Sequence, residues 1–109
     1  MNIKEGRYEA AQRITIVEAP NLRVRMISLA AGQCVPWHYH SNITDRFFCM
    51  EGPMQVITRD PDVVQVLDPG GVYAVGPQIA HYVAGVDKKA CKFMNVQGVG
   101  VYDFISLEG

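Results

Sequence analysis

Apolar and polar residues alternate along most of this chain in short runs, and the runs are broken by glycine and proline. Residues 12–18 set Ile14 and Ile16 against Arg13 and Thr15, a period of two that predicts a strand. After Ala19-Pro20-Asn21, residues 22–29 alternate again, with Leu22, Val24 and Met26 on one side and Arg23 and Arg25 on the other. Ile27 and Leu29 fall out of that period. The two runs are expected to be neighbours in an antiparallel sheet. Further strands are predicted at 47–50, 54–58, 63–67, 73–75, 82–84, 92–96 and 101–105. The turns between them fall at Glu51-Gly52-Pro53, Asp60-Pro61-Asp62 and Asp68-Pro69-Gly70-Gly71. No stretch of ten or more residues carries a helical period. Short strands with turn signals every eight to twelve residues predict an all-β sandwich or barrel.

Within that pattern one stretch carries chemistry. Between Gly32 and Gly52, His38 and His40 stand two residues apart on a predicted strand and so point to one face. At about 3.3 Å per residue their Cα atoms lie about 7 Å apart. Imidazoles at that spacing converge on one ion with bonds of about 2.1 Å. Asp45 follows after four residues, and His81, the third and last histidine of the chain, lies in a second stretch punctuated by Gly and Pro. These four residues are read as one metal site.

Composition narrows the function classes. The 109 residues suit one domain over 1–109, with residues 1–10 as a loosely held arm and a barrel over about 12–106. Apolar residues make up 49% and charged ones 19%, a globular composition. A net charge of −1, with basic residues scattered, gives no footprint for nucleic acid or an anionic membrane. No apolar run approaches the length of a membrane span and the N-terminus has no secretory pattern. Three cysteines without C-x-x-C spacing argue against a disulfide framework, so a reducing cytoplasm is the expected location.

The motifs resemble those of a small single-domain cupin. That family's first motif is Gly, five residues, His-x-His, three or four residues, Glu, six residues, Gly. Gly32, His38-Tyr39-His40, Asp45 and Gly52 match the spacing, with Asp45 in place of Glu. The second motif is Gly, five residues, Pro-x-Gly, two residues, His, three residues, Asn. Gly70, Gly76, Gln78, His81 and Gly85 occupy those positions, keeping the spacing and the histidine but not the Pro, second Gly or Asn. The resemblance covers about residues 22 to 105. It implies a double-stranded β-helix, the jelly-roll barrel, with one divalent metal near its mouth and frequent dimers, here a homodimer. The activities it implies range over dioxygenases, isomerases, epimerases, lyases and decarboxylases, so fold alone does not select one.

Each residue has a plainer reading beside the functional one. Three half-buried histidines can simply hydrogen-bond across a barrel, but three at ligand spacing beside a carboxylate favour a metal. Asp45 either ligates directly, the favoured reading, or orients a ligand through a neighbouring contact or a water. Gln78 reads as a solvated loop residue. Tyr39 and Tyr82 are expected to pack outward. Cys34 and Cys49 share strand parity with the nearest ligands and are placed in the lumen, and Cys91 in the core. Val35, Trp37 and Tyr39 are expected to face outward as a subunit interface or under the N-terminal arm.

Imidazole and carboxylate ligands suit Fe(II), Mn(II), Ni(II), Co(II) or Zn(II). With three neutral histidines and one carboxylate, such an ion keeps a single net positive charge and favours a small oxygen-rich anion. Two function classes follow. One is a metal-dependent enzyme, either a dioxygenase or an isomerase or lyase using the ion as a Lewis acid. The other is a cupin that binds or senses a small ligand without turnover. A metal-free epimerase with a histidine base ranks last, because converging protonated imidazoles repel.

Overall fold

A computed structural model describes residues 8–107. In chain order its strands are β1 (Gln12–Ala19), β2 (Leu22–Leu29), β3 (Cys34–Tyr39), β4 (Thr44–Glu51), β5 (Met54–Thr58), β6 (Val63–Leu67), β7 (Val72–Val75), β8 (His81–Gly85), β9 (Cys91–Gly98) and β10 (Ile105–Ser106). A single 3-10 turn, Val86–Lys88, separates β8 from β9. The strands form two five-stranded sheets with orders β1-β2-β9-β4-β7 and β10-β3-β8-β5-β6. This is the all-β architecture expected from the alternating pattern, and the double-stranded β-helix that the family resemblance implies. The expected arm lies mostly outside the described residues, although Tyr8 and Ala10 pack against the core.

The core sits between the sheets. Ile27, Phe47 and Phe93 from the first sheet meet Val35, Met54, Val56 and Val83 from the second, all buried. Strand parity makes this possible: inward positions on β9 are Cys91, Phe93, Asn95 and Gln97, and on β4 they are Asp45, Phe47 and Cys49. In the register of β2, β9 and β4, Ile27, Phe93 and Cys49 form one cross-strand row. The next rows toward the barrel mouth are Arg25, Asn95 and Phe47, then Arg23, Gln97 and Asp45. Apolar rows therefore give way to polar rows at one end of the lumen.

That register corrects the reading of β2. Ile27 and Leu29 are buried, and Arg23 and Arg25 share their parity, so both arginines belong to the inward-facing side. Leu22, Val24 and Met26 take the other side and remain half-buried.

A second correction lies on β3. Val35 pairs with Val83, and His38 with His81, so three steps on β3 match two on β8. This one-residue bulge turns both Val35 and His38 inward. Val35 is core, not part of an outward row with Trp37 and Tyr39. Cys34 is displaced from the lumen and lies against the Tyr82 hydroxyl, while Cys49 and Cys91 are buried in the core as expected. Trp37 packs outward against the Tyr82 ring, with the Arg59 guanidinium 3.8 Å over its centroid. The predicted strand over 101–105 is mostly irregular chain, and only Ile105–Ser106 pairs, against Tyr39 and His38.

Candidate metal centre

The two sheets deliver the four residues separately. His38 and His81 are directly paired across β3 and β8, and His40 follows at the end of β3. Asp45 comes from β4 in the opposite sheet and reaches across the lumen. All four are buried, and one donor atom from each lies within 4.8 Å of the others. Asp45 Oδ2 is 3.0 Å from His40 Nε2, 2.9 Å from His81 Nε2 and 4.0 Å from His38 Nε2.

Every imidazole is oriented from behind. Nδ1 of His38 is 2.7 Å from the Pro36 carbonyl, Nδ1 of His40 is 2.5 Å from the Asp103 carbonyl, and Nδ1 of His81 is 2.8 Å from the Ile79 carbonyl. A carbonyl only accepts, so each Nδ1 carries the hydrogen and a neutral ring presents its Nε2 lone pair. Three lone pairs and a carboxylate oxygen then face one another in a buried space. With all three rings neutral, these four acceptors repel, and the conflict is removed by a proton on His40 Nε2 or by a cation at their centre. The separations suit a cation. The three Asp45–imidazole separations, 2.9, 3.0 and 4.0 Å, are of the size that bonds of about 2.1 Å to a shared ion would span.

The electrostatics of the metal-free site follow the same geometry. Burial lowers the His38 pKa to about 4, since its Asp45 contact is the longest. Burial also works against protonated His40, but its hydrogen bond to Asp45 and the Asp103 carbonyl outweigh it and raise the pKa. Burial alone would raise the Asp45 pKa, yet the three histidines hold it well below the usual carboxylate range.

Aromatic rings close the site. Phe104 lies parallel over His38 with centroids 4.1 Å apart, Tyr102 sits 5.4 Å from His40, and Phe47 stands edge-on to His81. Asn95 donates from Nδ2 to Asp45 Oδ1 at 2.5 Å and to the Arg46 carbonyl at 3.1 Å, so Asp45 turns its other oxygen to the histidines. Sequence reasoning missed Asn95 and Gln97, both at inward positions of β9; Asn95 lies within the strand expected over 92–96, and Gln97 one residue beyond it. Tyr102, Asp103 and Phe104 carried no signal, being irregular chain brought from far along the sequence.

The second motif's departures have local causes. Gln78 occupies the glycine position with φ 66°, and its backbone N–H donates to the His40 carbonyl at 2.7 Å, tying the two motifs together. Its side chain is exposed. At the asparagine position, a Cβ on Gly85 would meet the Lys89 carbonyl oxygen at 1.8 Å, so only glycine fits.

A two-sheet β-helix with three histidines and a carboxylate converging in its lumen defines a class of small barrels whose lumen could hold a metal ion. A family profile described as cupin matches residues 2–97, and the chain belongs to the cupin family. No curated protein sequence matches it. Among solved structures it is similar to an uncharacterized conserved protein with a double-stranded β-helix domain from Klebsiella pneumoniae. The TM-score is 0.75 at 19% identity, over 96% of this chain and 92% of that one. It is also similar to KdgF from Halomonas sp., with TM-score 0.69, 13% identity and 87% of each chain covered. A third is an oxalate decarboxylase from Lactobacillus farciminis in a formate complex, with TM-score 0.71 and 17% identity over 82% of this chain and 27% of that one. At these identities the likeness is one of fold. Among the described residues no helix is long and apolar enough to cross a membrane.

Proposed function

We propose that this cupin holds one divalent transition metal through His38, His40, Asp45 and His81, and acts as an enzyme on a small oxygen-rich anion. The observation that carries the reading is the set of three Nε2 lone pairs, fixed by three backbone carbonyls, around one carboxylate oxygen. When bound, the ion supplies Lewis-acid polarisation for isomerase or lyase chemistry, or, if redox-active, the means for dioxygenation. The chain's own residues supply the rest. Phe47, Tyr102 and Phe104 exclude water from the imidazoles. Asn95 sets the orientation of Asp45. An oxalate decarboxylase and KdgF among the structural relatives accord with a small anionic ligand. One domain, a cytoplasmic location and a homodimer, with no nucleic-acid or membrane partner, complete the proposal.

A second reading is favoured by the closed lumen, whose free space of ≈ 10 Å³ is about one water. A cupin that admits its ligand only by rearranging is suited to binding or sensing without turnover. Elemental analysis of protein purified without added metal tests the shared premise. One equivalent of Fe, Mn, Ni, Co or Zn is expected. His38→Ala and His81→Ala should each empty the site, while Cys34→Ala, altered on the outer face, should not. Loss of metal from the cysteine variant, or full occupancy in either histidine variant, refutes the assignment. Oxygen-dependent product formation from an iron-loaded sample selects the dioxygenase branch. Tight ligand binding without product selects the second reading.

A further inference from the structure

The lumen holds a charge that the four donor residues do not use. Arg25 lines the same cavity as His38 and Asp45, and its Nε is buried with no hydrogen-bond partner among the described residues. Gln97, also in that lining and 4% exposed, has a buried Oε1 without a partner. A buried donor on a charged group left unpaired costs about 1–3 kcal/mol or more, so such a group marks a place where something else binds. Asp45 does not answer it. One carboxylate oxygen faces the imidazoles and the other takes Asn95. Arg23, one row nearer the mouth, also has a buried Nε without a hydrogen-bond partner, but it lies outside that lining and its guanidinium sits 3.9 Å over the Tyr102 ring.

We propose that Arg25 and Gln97 form a carboxylate subsite beside the four donor residues, taking a small acid with a hydroxyl or keto oxygen on the adjacent carbon. The inference rests on the metal-centre reading, which accounts for the second oxygen. Geometry sets the length. Arg25 is opposite Asn95, which is opposite Phe47, so β2 and β4 stand two strand spacings apart, about 10 Å. Arg25 and Asp45 lie on strands of the same sheet, and the free space their shared cavity leaves is ≈ 10 Å³, so only a small ligand fits and side chains must shift to admit it. Charge sets the class. A divalent ion on three neutral imidazoles and Asp45 leaves one net positive charge, Arg25 adds another, and a planar carboxylate matches the guanidinium fork. Gln97 accepts the ligand's hydroxyl hydrogen or, turned over, donates to its keto oxygen. Entry requires movement, and the residues free to move are those outside the strands. Tyr8 and Tyr102 lie on irregular chain, whereas Arg25 and Gln97 are fixed on β2 and β9.

The test uses the cobalt-loaded full chain and its visible absorption. Lactate is titrated against propane-1,2-diol, which has the same carbon skeleton without the carboxylate. Lactate is expected to perturb the cobalt spectrum and the diol to bind far more weakly. Arg25→Met should weaken lactate about 30-fold, Arg25→Lys about tenfold and Gln97→Leu about fivefold, with cobalt affinity as in the parent. Lactate affinity unchanged in Arg25→Met and Gln97→Leu, with cobalt bound normally, overturns this inference alone. Equal competition by sulfate marks an unselective anion hole and also overturns it. A parent protein that takes up no cobalt overturns the metal-centre reading and the inference together.

Discussion

Asn95→Leu removes the side chain that fixes Asp45 while keeping a similar volume in a buried position. Asn95 Nδ2 is 2.5 Å from Asp45 Oδ1 and 3.1 Å from the Arg46 carbonyl, so the substitution deletes a hydrogen bond to a charged acceptor and a second to backbone. A hydrogen bond to a charged group contributes about 1.5–3 kcal/mol, and the leucine leaves Oδ1 buried without a replacement donor. The metal-free protein should therefore lose about 2 kcal/mol in urea unfolding. Asp45 is also released from the orientation that points Oδ2 at the imidazoles. Loss of an outer contact of this kind weakens a metal about 10–100-fold, which competition against a chromophoric chelator measures directly. Asn95→Asp separates the two effects. It keeps the size but donates only when protonated, so its metal affinity should change with pH in a way the leucine variant's does not. A leucine variant that keeps the parent's cobalt affinity would show that Asp45 needs no such support, and the reasoning would fail.

Acidification should weaken metal binding in an order set by the individual rings. His40 has a raised pKa, so as the pH falls it takes up, before His38 does, a proton that the ion must displace. Affinity should fall about tenfold per pH unit below that pKa. His38, with its pKa lowered to about 4, should add nothing to the slope until that pH, and potentiometric metal titration from pH 8 to 4 checks both. The linked stability changes have opposite signs. The His40 contribution is complete below its unfolded pKa and is lost as pH rises through the raised value. That of Asp45 is present above its unfolded pKa and is lost as pH falls. Gln78→Gly should stabilise the protein by about 1 kcal/mol, because φ 66° costs any residue with a Cβ, and thermal unfolding reads the gain. No change or a loss would mean that the exposed glutamine side chain supports the turn.

The strands and the four converging residues were legible in the sequence because alternation and ligand spacing are local quantities. Boundaries at Gln12, Leu22, Met54 and Val63 fell where turn chemistry predicted them. Parity failed in two places for physical reasons. On β3 the bulge between Val35 and His38 adds a residue, so a strict period of two assigns Cys34 inward and Val35 outward, the reverse of the structure. On β2 the rule that arginines face solvent fails because the inward row at the barrel mouth is polar. Such violations concentrate where a protein binds something. Tyr102, Asp103 and Phe104 were illegible for another reason. Their positions depend on a contact between His40 and Asp103, 63 positions apart, and no local pattern encodes it.

The division of the donors between sheets has a consequence for how the barrel would respond to the proposed ion. The imidazoles belong to one layer and the compensating negative charge to the other. An ion gripped by both acts as a clasp across the lumen, and sliding one layer on the other would strip it of its counter-charge before its nitrogen ligands. Mechanical cohesion between the layers and occupancy of the centre are therefore one property, seen from two sides.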